Sequence, residues 1–521
     1  MNKIIFSSLL IIMLSLVGLT DASYLTYQRA FNIIPPCIPG FQCETVLRSP
    51  YANIGVIPLS ALGILYYSIV LFLGILVYLE SPLPSWLGLK RSKITTLDAL
   101  QITTTFGLFF SAYLITLMSV VIKAWCTYCL ISAIACLLLF LVGRWHARLV
   151  RRGDSIFLKG LWLSLCKLGY QHIGKPLFFL ADPERVHNTA VRFGVAAGNN
   201  SLLKRLTSSI LGFHTPATRK QFAGITFPNA VGLAAGFDYN GSLTGILPSV
   251  GFGWHTIGTV TLESYEGNEK PRLTRFPHSK SILVNKGLKN IGAEKIIAKL
   301  SKLTFSIPTG ISIASTNKSF ESDKAQILDI ARCFLLFERS PLQHSYYELN
   351  ISCPNTHGGE PFTTAKRLEI LLTVLDPIVR KPIFVKLPID LPDQDFMSLL
   401  RVCSKHSIAG LIIGNLTKDK KNPDIEQSER QRWNSMSGNL SGKPTFARSN
   451  RLIKMADAEY GNRFVIVGTG GIFSPEDAEE KLKAGADLVQ LITGMIYEGP
   501  QLIGSINRKL TSRNRADTST K

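Results

Sequence analysis

Phe464-Val465-Ile466-Val467-Gly468-Thr469-Gly470-Gly471 reads as a short buried strand that breaks into a glycine turn. Leu488-Val489-Gln490-Leu491-Ile492-Thr493-Gly494 repeats the pattern one helical stretch later. Short, β-branched apolar runs bounded by glycine are what a strand covered on both faces requires. Working back along the chain, the same unit recurs at Asn229–Ala234, Trp254–Thr259, Gly310–Ala314, Tyr346–Ile351, Ile383–Leu387 and Gly410–Gly414. Eight such units with helical stretches between them predict a (β/α)8 TIM barrel, whose active site lies at the C-terminal strand ends. The polar and glycine-bearing stretches fall at those ends: Gly236-Phe237-Asp238, Gly258–Thr261, Asn350–Asn355, Lys386, Gly414-Asn415 and Gly468–Gly471. Gly468–Gly471 with Gly494 predicts a phosphate cradle, because backbone N–H groups reach an anion where no side chain intervenes. Glycine turns that serve packing alone are the alternative reading.

The first 150 residues are of a different kind. Four apolar runs, Ile4–Thr20, Ile54–Leu79, Ala99–Ile122 and Ala124–Gly143, each approach or exceed the ~20 residues that cross a bilayer core as a helix. A cleaved leader is the alternative for the first run, but no small-residue cleavage site precedes Asp21 and three further runs follow. The chain is therefore expected to be multidomain: a four-helix transmembrane bundle, then the barrel with an N-terminal helical extension. Flanking positive charge sets the orientation. Lys90, Arg91 and Lys93 in the second connection, and Arg144, Arg148, Arg151 and Arg152 after the fourth run, belong in the cytoplasm. The first connection, residues 21–53, and the short third turn then lie outside.

Most of the formal charge of +21 falls beyond residue 150, since residues 1–150 hold nine Lys/Arg against four Asp/Glu. A basic domain tethered to a membrane is most simply one that faces anionic lipid. The basic residues are scattered and no nucleic-acid module is present, so no nucleic-acid partner is expected.

Nine cysteines divide unevenly. Cys37/Cys43 and Cys126/Cys129 are close pairs beside apolar runs, and both fall on the outer side, where disulfides persist. Cys136, Cys166, Cys333, Cys353 and Cys403 are single. Cys126-x-x-Cys129 at the membrane-entry turn of a helix is a redox arrangement, because the helix N-terminus stabilises a thiolate. A structural zinc site, or a purely structural Cys37–Cys43 disulfide, are the alternatives. Cys37-x5-Cys43, the stretch Tyr51-Ala52-Asn53-Ile54-Gly55-Val56-Ile57-Pro58, and Trp125-Cys126-Thr127-Tyr128-Cys129 together resemble the vitamin K epoxide reductase family over roughly residues 1–150. The resemblance implies that Cys126 and Cys129 reduce a quinone held in the bundle. Cys37 and Cys43 would shuttle electrons from a separate thioredoxin-like thiol donor on the outer face.

Residues 144–190 form a basic amphipathic connector, suited to lying at a lipid interface or to packing as ordinary core helices. Asp182-Pro183-Glu184-Arg185-Val186-His187 resembles the hallmark of the quinone-reducing, membrane-associated class of dihydroorotate dehydrogenases, in which helices before the barrel form a quinone tunnel. The resemblance extends over roughly residues 175–508. It is carried by the strand-end stretches above, Leu440-Ser441-Gly442-Lys443-Pro444 and Val489–Gly494. It implies FMN, with Ala235, Gly236, Asp238 and Thr259 at the flavin and Lys386 beside its ring. Gly442, Gly471 and Thr493 would hold the ribityl phosphate region. Asn350, Asn355 and Asn415 would present amides to a pyrimidine substrate, and Cys353 would be the base. No metal is implied.

The chain departs from the family pattern at several positions. Tyr239 stands where the family has lysine, Val284 and Ser312 where it has asparagine, and Gly414 and Leu416 where it has threonine. Asn285 restores the first asparagine only with a one-residue shift. Lys286 or Lys289 is a candidate replacement for the lysine. Cys353 itself matches the soluble class, the membrane class having serine there.

The expected organisation is thus a vitamin K epoxide reductase-like transmembrane domain at 1–150, a connector with quinone-tunnel helices at 151–190, a dihydroorotate dehydrogenase-like FMN barrel at 191–510 and a disordered tail at 511–521. The expected activity is a quinone-dependent dihydroorotate dehydrogenase fused to a disulfide-forming thiol:quinone oxidoreductase. Both would use ubiquinone or menaquinone at the inner (plasma) membrane, with the barrel cytoplasmic. Two rivals stay open: an FMN oxidoreductase acting on another substrate, and a flavin-binding but silent barrel that anchors the thiol oxidase.

Overall fold

The structure, a computed structural model, describes residues 3–79, 95–151, 156–215 and 218–519. Lys90, Arg91, Lys93 and Arg152, on which part of the topology reading rests, lie outside the described residues. Contacts divide the chain into two compact units, Met1–Leu161 and Trp162–Lys521.

The first unit is built on helices α1 (Lys3–Ala30), α2 (Leu59–Tyr78), α3 (Thr96–Thr116) and α4 (Thr127–Arg151). All four are long and apolar enough to cross a membrane. Ile11, Tyr67, Val70, Leu100 and Leu139 form the core between them, while Leu65, Phe106, Phe109 and Leu141 face outward. That inversion of the usual surface is what a lipid solvent demands. The helices close tightly where small residues allow it. A Cβ on Gly18 of α1 would lie 2.1 Å from the Tyr67 ring of α2. The Tyr67 hydroxyl donates to the Ser132 carbonyl at 3.0 Å, which satisfies that buried group.

Two boundaries differ from the sequence reading. α1 runs ten residues past Thr20, because Asp21, Leu25, Gln28 and Arg29 turn into a cavity inside the unit rather than into lipid. The start of the second apolar run is a two-strand turn, Asn53–Ile54 against Ile57–Pro58, with Gly55 at φ +61°. Pro58 then caps α2. After α3 the chain continues as a π-helical turn, Leu117–Ile122, into the segment carrying Cys126.

The second unit is a closed parallel barrel of eight strands: β1 (Val231–Leu233), β2 (Trp254–Val260), β3 (Thr309–Ile313), β4 (Tyr346–Asn350), β5 (Ile383–Leu387), β6 (Ile408–Ile413), β7 (Val465–Thr469) and β8 (Leu488–Leu491). Each pairs with its sequence neighbour and β8 closes on β1. The eight strands fall where the sequence pattern puts them. Near the strand starts, large and glycine residues alternate between neighbours: Gly232 beside Trp254, Gly310 beside Tyr346, Gly410 beside Phe384. A Cβ on any of the three glycines would lie within 2.5 Å of its partner's ring. Packed rings thus fill the barrel at the N-terminal end of its strands, and the C-terminal rim is left for a site. A three-stranded antiparallel sheet, Leu273–Phe276, Ser281–Val284 and Asn439–Gly442, is built from the connections after β2 and β6.

Helices Pro183–Gly198 and Ser201–Ile210 precede the barrel. Asp182 caps the first of them by accepting from Arg185 N at 2.9 Å. Residues before it are fixed to the barrel: Tyr170 donates to the Ile496 carbonyl at 2.6 Å, and Arg275 donates to the Ala181 carbonyl at 2.7 Å. Leu165, Leu168, Ile173, Leu177 and Leu180 remain exposed along this stretch. It therefore presents an apolar face instead of burying one as core helices would. At the other end the helix Gln501–Ser519 takes in most of the polar segment read as a disordered tail. Leu510 and Thr511 are buried, and arginine- and alanine-bearing residues extend the helix from that anchor.

Candidate active sites

The barrel cavity opens at the C-terminal strand ends, as the fold requires. Ala235 and Gly236 follow β1, Thr259 lies on β2, Asn350 ends β4 and Cys353 follows it. Lys386 lies on β5, Gly414 and Asn415 follow β6, Gly470 and Gly471 follow β7, and Thr493 and Gly494 follow β8; all line one cavity. Asn355, Ser441 and Gly442 complete its wall. Every barrel residue proposed from the sequence is there except Asp238. Its carboxylate turns away, accepting from Ser242 N at 2.7 Å and Leu243 N at 2.8 Å, with His255 Nε2 at 3.4 Å. Those donors hold it below the ordinary carboxylate range against the cost of burial, so the Asp238 side chain braces the β1 turn and is not part of the cavity lining.

The glycine turns form a cradle closed to side chains. Gly442 (φ +94°), Gly470 (φ +95°) and Gly471 (φ +70°) adopt conformations that L side chains avoid. A Cβ on Gly471 would lie 2.4 Å from Phe446 Cβ, and one on Gly494 would lie 1.7 Å from the Ile472 carbonyl oxygen. Phe446 begins the helix Phe446–Tyr460, so a helix N-terminus abuts the same turn. Exposed N–H groups and a helix dipole make this end suited to a phosphate.

One relay of polar groups fixes the cavity floor. Asn350 Nδ2 donates to Thr259 Oγ1 at 2.8 Å, Thr259 and Ser312 hydroxyls meet at 2.9 Å, and Ser312 donates to Glu348 Oε1 at 2.7 Å. Glu348 also faces Lys386 Nζ at 3.5 Å. Asn350 Oδ1 accepts from the Ser352 hydroxyl at 2.9 Å, and Asn415 Nδ2 donates to the same hydroxyl at 2.7 Å. Asn355 is held between the Val284 carbonyl at 2.9 Å and Asn439 at 2.7 Å. Three amides are therefore oriented before any ligand arrives. Ser312 serves as a link of the relay rather than as a lining residue. Asn285 does not restore the missing asparagine, because Asn268 donates to its side-chain oxygen at 2.9 Å; Val284 lines the cavity instead.

Cys353 follows β4 in the cavity wall. Burial pushes its thiol up to about 11, and the opposing pull of the Asn355 N–H and of Lys386 does not reverse this. A neighbouring cation alone does not make it a thiolate. Glu348 is a site residue that motif reading passed over, while Lys286, one of the two candidate replacement lysines, and His187 both line the cavity. For Glu348 a signal existed, since a lone carboxylate two residues before Asn350 on a buried strand shares its face.

In the first unit all four paired cysteines meet. Cys37 and Cys43 form a disulfide with a Cα–Cα separation of 6.0 Å, while Cys126 and Cys129 are free thiols. Cys43 and Cys126 are buried in one cluster with Val46, Met118 and Ala124, and Cys37 and Cys129 pack against it. The loop is tied down beside α4: Gln42 N donates to the Trp125 carbonyl at 2.8 Å and Tyr128 Oη to the Pro36 carbonyl at 2.7 Å. Cys37 Sγ lies 3.7 Å from Thr127 Oγ1, between the two free thiols in sequence. Cys129, in the first turn of α4, also lines a cavity shared with Asp21, Tyr128, Ser132 and Met118.

Comparison with known proteins divides the chain in the same way. Residues 218–513 match the family model described as dihydroorotate dehydrogenase, and residues 9–143 match that of the vitamin K epoxide reductase family. Proteins named dihydroorotate dehydrogenase (quinone) are similar to this chain. That of Corynebacterium diphtheriae is 32% identical over 338 residues, covering 65% of this chain and 91% of the relative. That of Christiangramia forsetii is 35% identical, covering 66% and 99%. A solved dihydroorotate dehydrogenase of Eimeria tenella in complex with ferulenol shares the fold, with a TM-score of 0.54 at 23% identity over 65% of this chain and 93% of that one.

Proposed function

The chain belongs to the dihydroorotate dehydrogenase family, and from that premise we propose that its barrel oxidises dihydroorotate to orotate, with FMN as resident cofactor and a membrane quinone as final acceptor. The observation that carries this reading is the convergence of Lys386, Cys353, Asn350, Asn355 and Asn415 on a cavity with a glycine-closed cradle at one end. The residues fit the cofactor: Gly442, Gly471, Gly494 and the Phe446 helix end would hold the phosphate, and Lys386 would lie beside the ring. The flavin supplies the two-electron acceptor when bound. The chain supplies the rest. Asn350, Asn355 and Asn415 orient the pyrimidine, and the Lys386 ammonium favours negative charge beside it. The Cys353 sulfur takes the proton from the carbon next to the one that loses hydride.

The membrane unit is read as a thiol:quinone oxidoreductase. A dithiol on a separate thioredoxin-like protein would reduce the Cys37–Cys43 disulfide. Exchange would carry the two electrons to Cys126 and Cys129. Their closure to a disulfide would turn a quinone into quinol, taking both thiol protons. The packing of the four sulfurs in one cluster, beside a cavity that Cys129 lines, supports this. By the charge rule, the cysteine loop faces outward and the barrel is cytoplasmic, at a plasma membrane whose quinone pool both halves use.

Val284 and Leu416 in the cavity wall favour a second reading, an FMN enzyme for another substrate. One experiment separates the two. The chain is purified in lipid, its flavin spectrum recorded, and dihydroorotate added without oxygen. Bleaching followed by recovery with quinone is expected. Persistent colour at full flavin occupancy rejects dihydroorotate and leaves the second reading.

A further inference from the structure

Two lysine ammonium groups are buried at the barrel cavity, and they are placed differently. Lys386 has a carboxylate, Glu348, at 3.5 Å. Lys286, in the loop after the strand Ser281–Val284, is 7% exposed and lines the same cavity. Among the described residues no carboxylate lies within ion-pair distance of its Nζ. The group instead sits over the Tyr239 ring, 4.2 Å from the centroid. Tyr239 is itself backed by His187, whose ring lies 5.3 Å away and meets Phe237 edge-on at 4.8 Å.

The charged neighbours do not neutralise Lys286. Glu184 is the nearest acidic influence, and Arg272 holds its carboxylate at 3.4 Å. Lys289 adds repulsion. His187 is kept neutral by burial and by Lys286 itself, its ring pushed down to about 3. A buried cation with only an aromatic face beneath it has lost its water without gaining an anion. Such a group is a vacancy for negative charge, and it opens onto the space that three oriented amides surround.

We propose that Lys286, seated on Tyr239, is the residue that receives the carboxylate of the substrate and sets the preference for an anionic pyrimidine. The inference rests on the reading of this cavity as a dihydroorotate site. It assigns a role to Tyr239, which stands where the family has lysine, and to Lys286, a candidate replacement for that lysine. Tyr239 removes a lysine from one wall, and Lys286 provides one from the facing loop, with the ring as its platform. The carboxylate would meet an ammonium that is already desolvated, so the match would discriminate strongly against an uncharged ring.

The test compares orotate with uracil, the same ring without the carboxylate. Binding to the full chain with FMN in lipid nanodiscs is followed by the flavin difference spectrum. The wild-type chain is expected to prefer orotate by about 100-fold or more, the range set by losing a buried charge partner. Lys286→Met should abolish most of that preference, leave uracil affinity within about twofold and keep the flavin. Tyr239→Leu should lower orotate affinity by roughly 3- to 10-fold, the scale of a desolvated cation–π contact. Orotate binding unchanged in Lys286→Met at full flavin occupancy overturns the assignment while the substrate reading stands. A wild-type chain with full flavin and no orotate affinity removes the substrate reading and the assignment with it. If Lys286→Met loses its flavin, the orotate:uracil ratio of Tyr239→Leu decides, and an unchanged ratio overturns the proposal.

Discussion

Glu348 Oε1 lies 3.5 Å from Lys386 Nζ, and both side chains are buried on neighbouring barrel strands. Ser312 donates to the same carboxylate oxygen at 2.7 Å. A buried ion pair of this kind holds the ammonium in place but also moderates its field. Glu348→Gln removes the moderating charge beside Lys386, which in the proposed reading lies next to the flavin ring. The midpoint potential of the bound flavin should rise by about 30–60 mV, the equivalent of roughly 1.4–2.8 kcal/mol for a two-electron couple. Spectroelectrochemistry on the purified chain reads it directly. An unmoved potential means that Glu348 positions nothing at the ring.

Cys353 titrates in the alkaline range because burial pushes its thiol up to about 11. The base form is the thiolate, so its fraction grows about tenfold per pH unit below that value. Dihydroorotate-driven flavin reduction should accelerate as pH rises from 7 toward 10, measured by stopped flow. Cys353→Ala should slow that step by roughly 10²–10⁴, the usual worth of a positioned base, without loss of orotate binding. A flat pH profile assigns the proton to another group.

Lys286 works in the opposite sense. Burial lowers its ammonium to about 8, so the cation is complete below that pH and lost above it. Orotate affinity should fall as pH rises through about 8, and the decline should vanish in Lys286→Met. Together with the rise governed by Cys353, turnover at low dihydroorotate should pass through a maximum. Affinity that is constant to pH 10 contradicts a titrating lysine at the carboxylate.

Acid should loosen the barrel unit for an identifiable reason. Burial pushes His187 and His344 down to about 3, with Lys286 and Lys381 respectively adding to the effect. In the unfolded chain each titrates near 6.5. Between those values the unfolded chain binds protons that the folded one refuses. Stability is therefore fully present above about pH 6.5 and falls as pH drops toward 3, by up to about 1.4 kcal/mol per unit for each histidine. His344 meets the Tyr347 ring edge-on at 4.5 Å, and His344→Phe should reduce the slope of denaturation midpoint against pH. An equal slope would mean that the imidazole is not the source.

Cys126→Ser should abolish quinone reduction driven by a small dithiol, because it removes one thiol of the pair proposed to reduce the quinone. Bleaching of the flavin by dihydroorotate should be unaffected in the same preparation. Loss of both activities would indicate that the variant perturbs more than the thiol cluster.

The barrel strands were legible because strands covered on both faces are short, β-branched and punctuated by glycine, a pattern local enough to survive without tertiary information. Helix ends were less so. Asp21 to Ala30 is too polar to read as a span, yet it is helical because its polar groups turn into an internal cavity. The site residues came from motifs, and motifs give position without orientation. Asp238 belongs to such a motif, but its carboxylate is used by Ser242, Leu243 and His255. Lys286 was visible only as one of two nearby lysines. Its burial over Tyr239 depends on a loop brought to β1 by the fold, a relationship spanning 47 positions that periodicity does not encode.

The glycine–aromatic pairs Gly232–Trp254, Gly310–Tyr346 and Gly410–Phe384 carry a consequence for how this barrel tolerates change. Gly232 and Gly310 are held small by the ring beside each, so neither member of those pairs drifts independently, whereas a Cβ on Gly410 would also lie 2.6 Å from the Val465 carbonyl oxygen. A library that randomises Gly232 alone should return glycine almost exclusively. One that randomises Gly232 and Trp254 together should return inverted pairs, with bulk moved across the strand boundary at constant volume. Gly232–Trp254 and Gly310–Tyr346 thus behave as two heritable units.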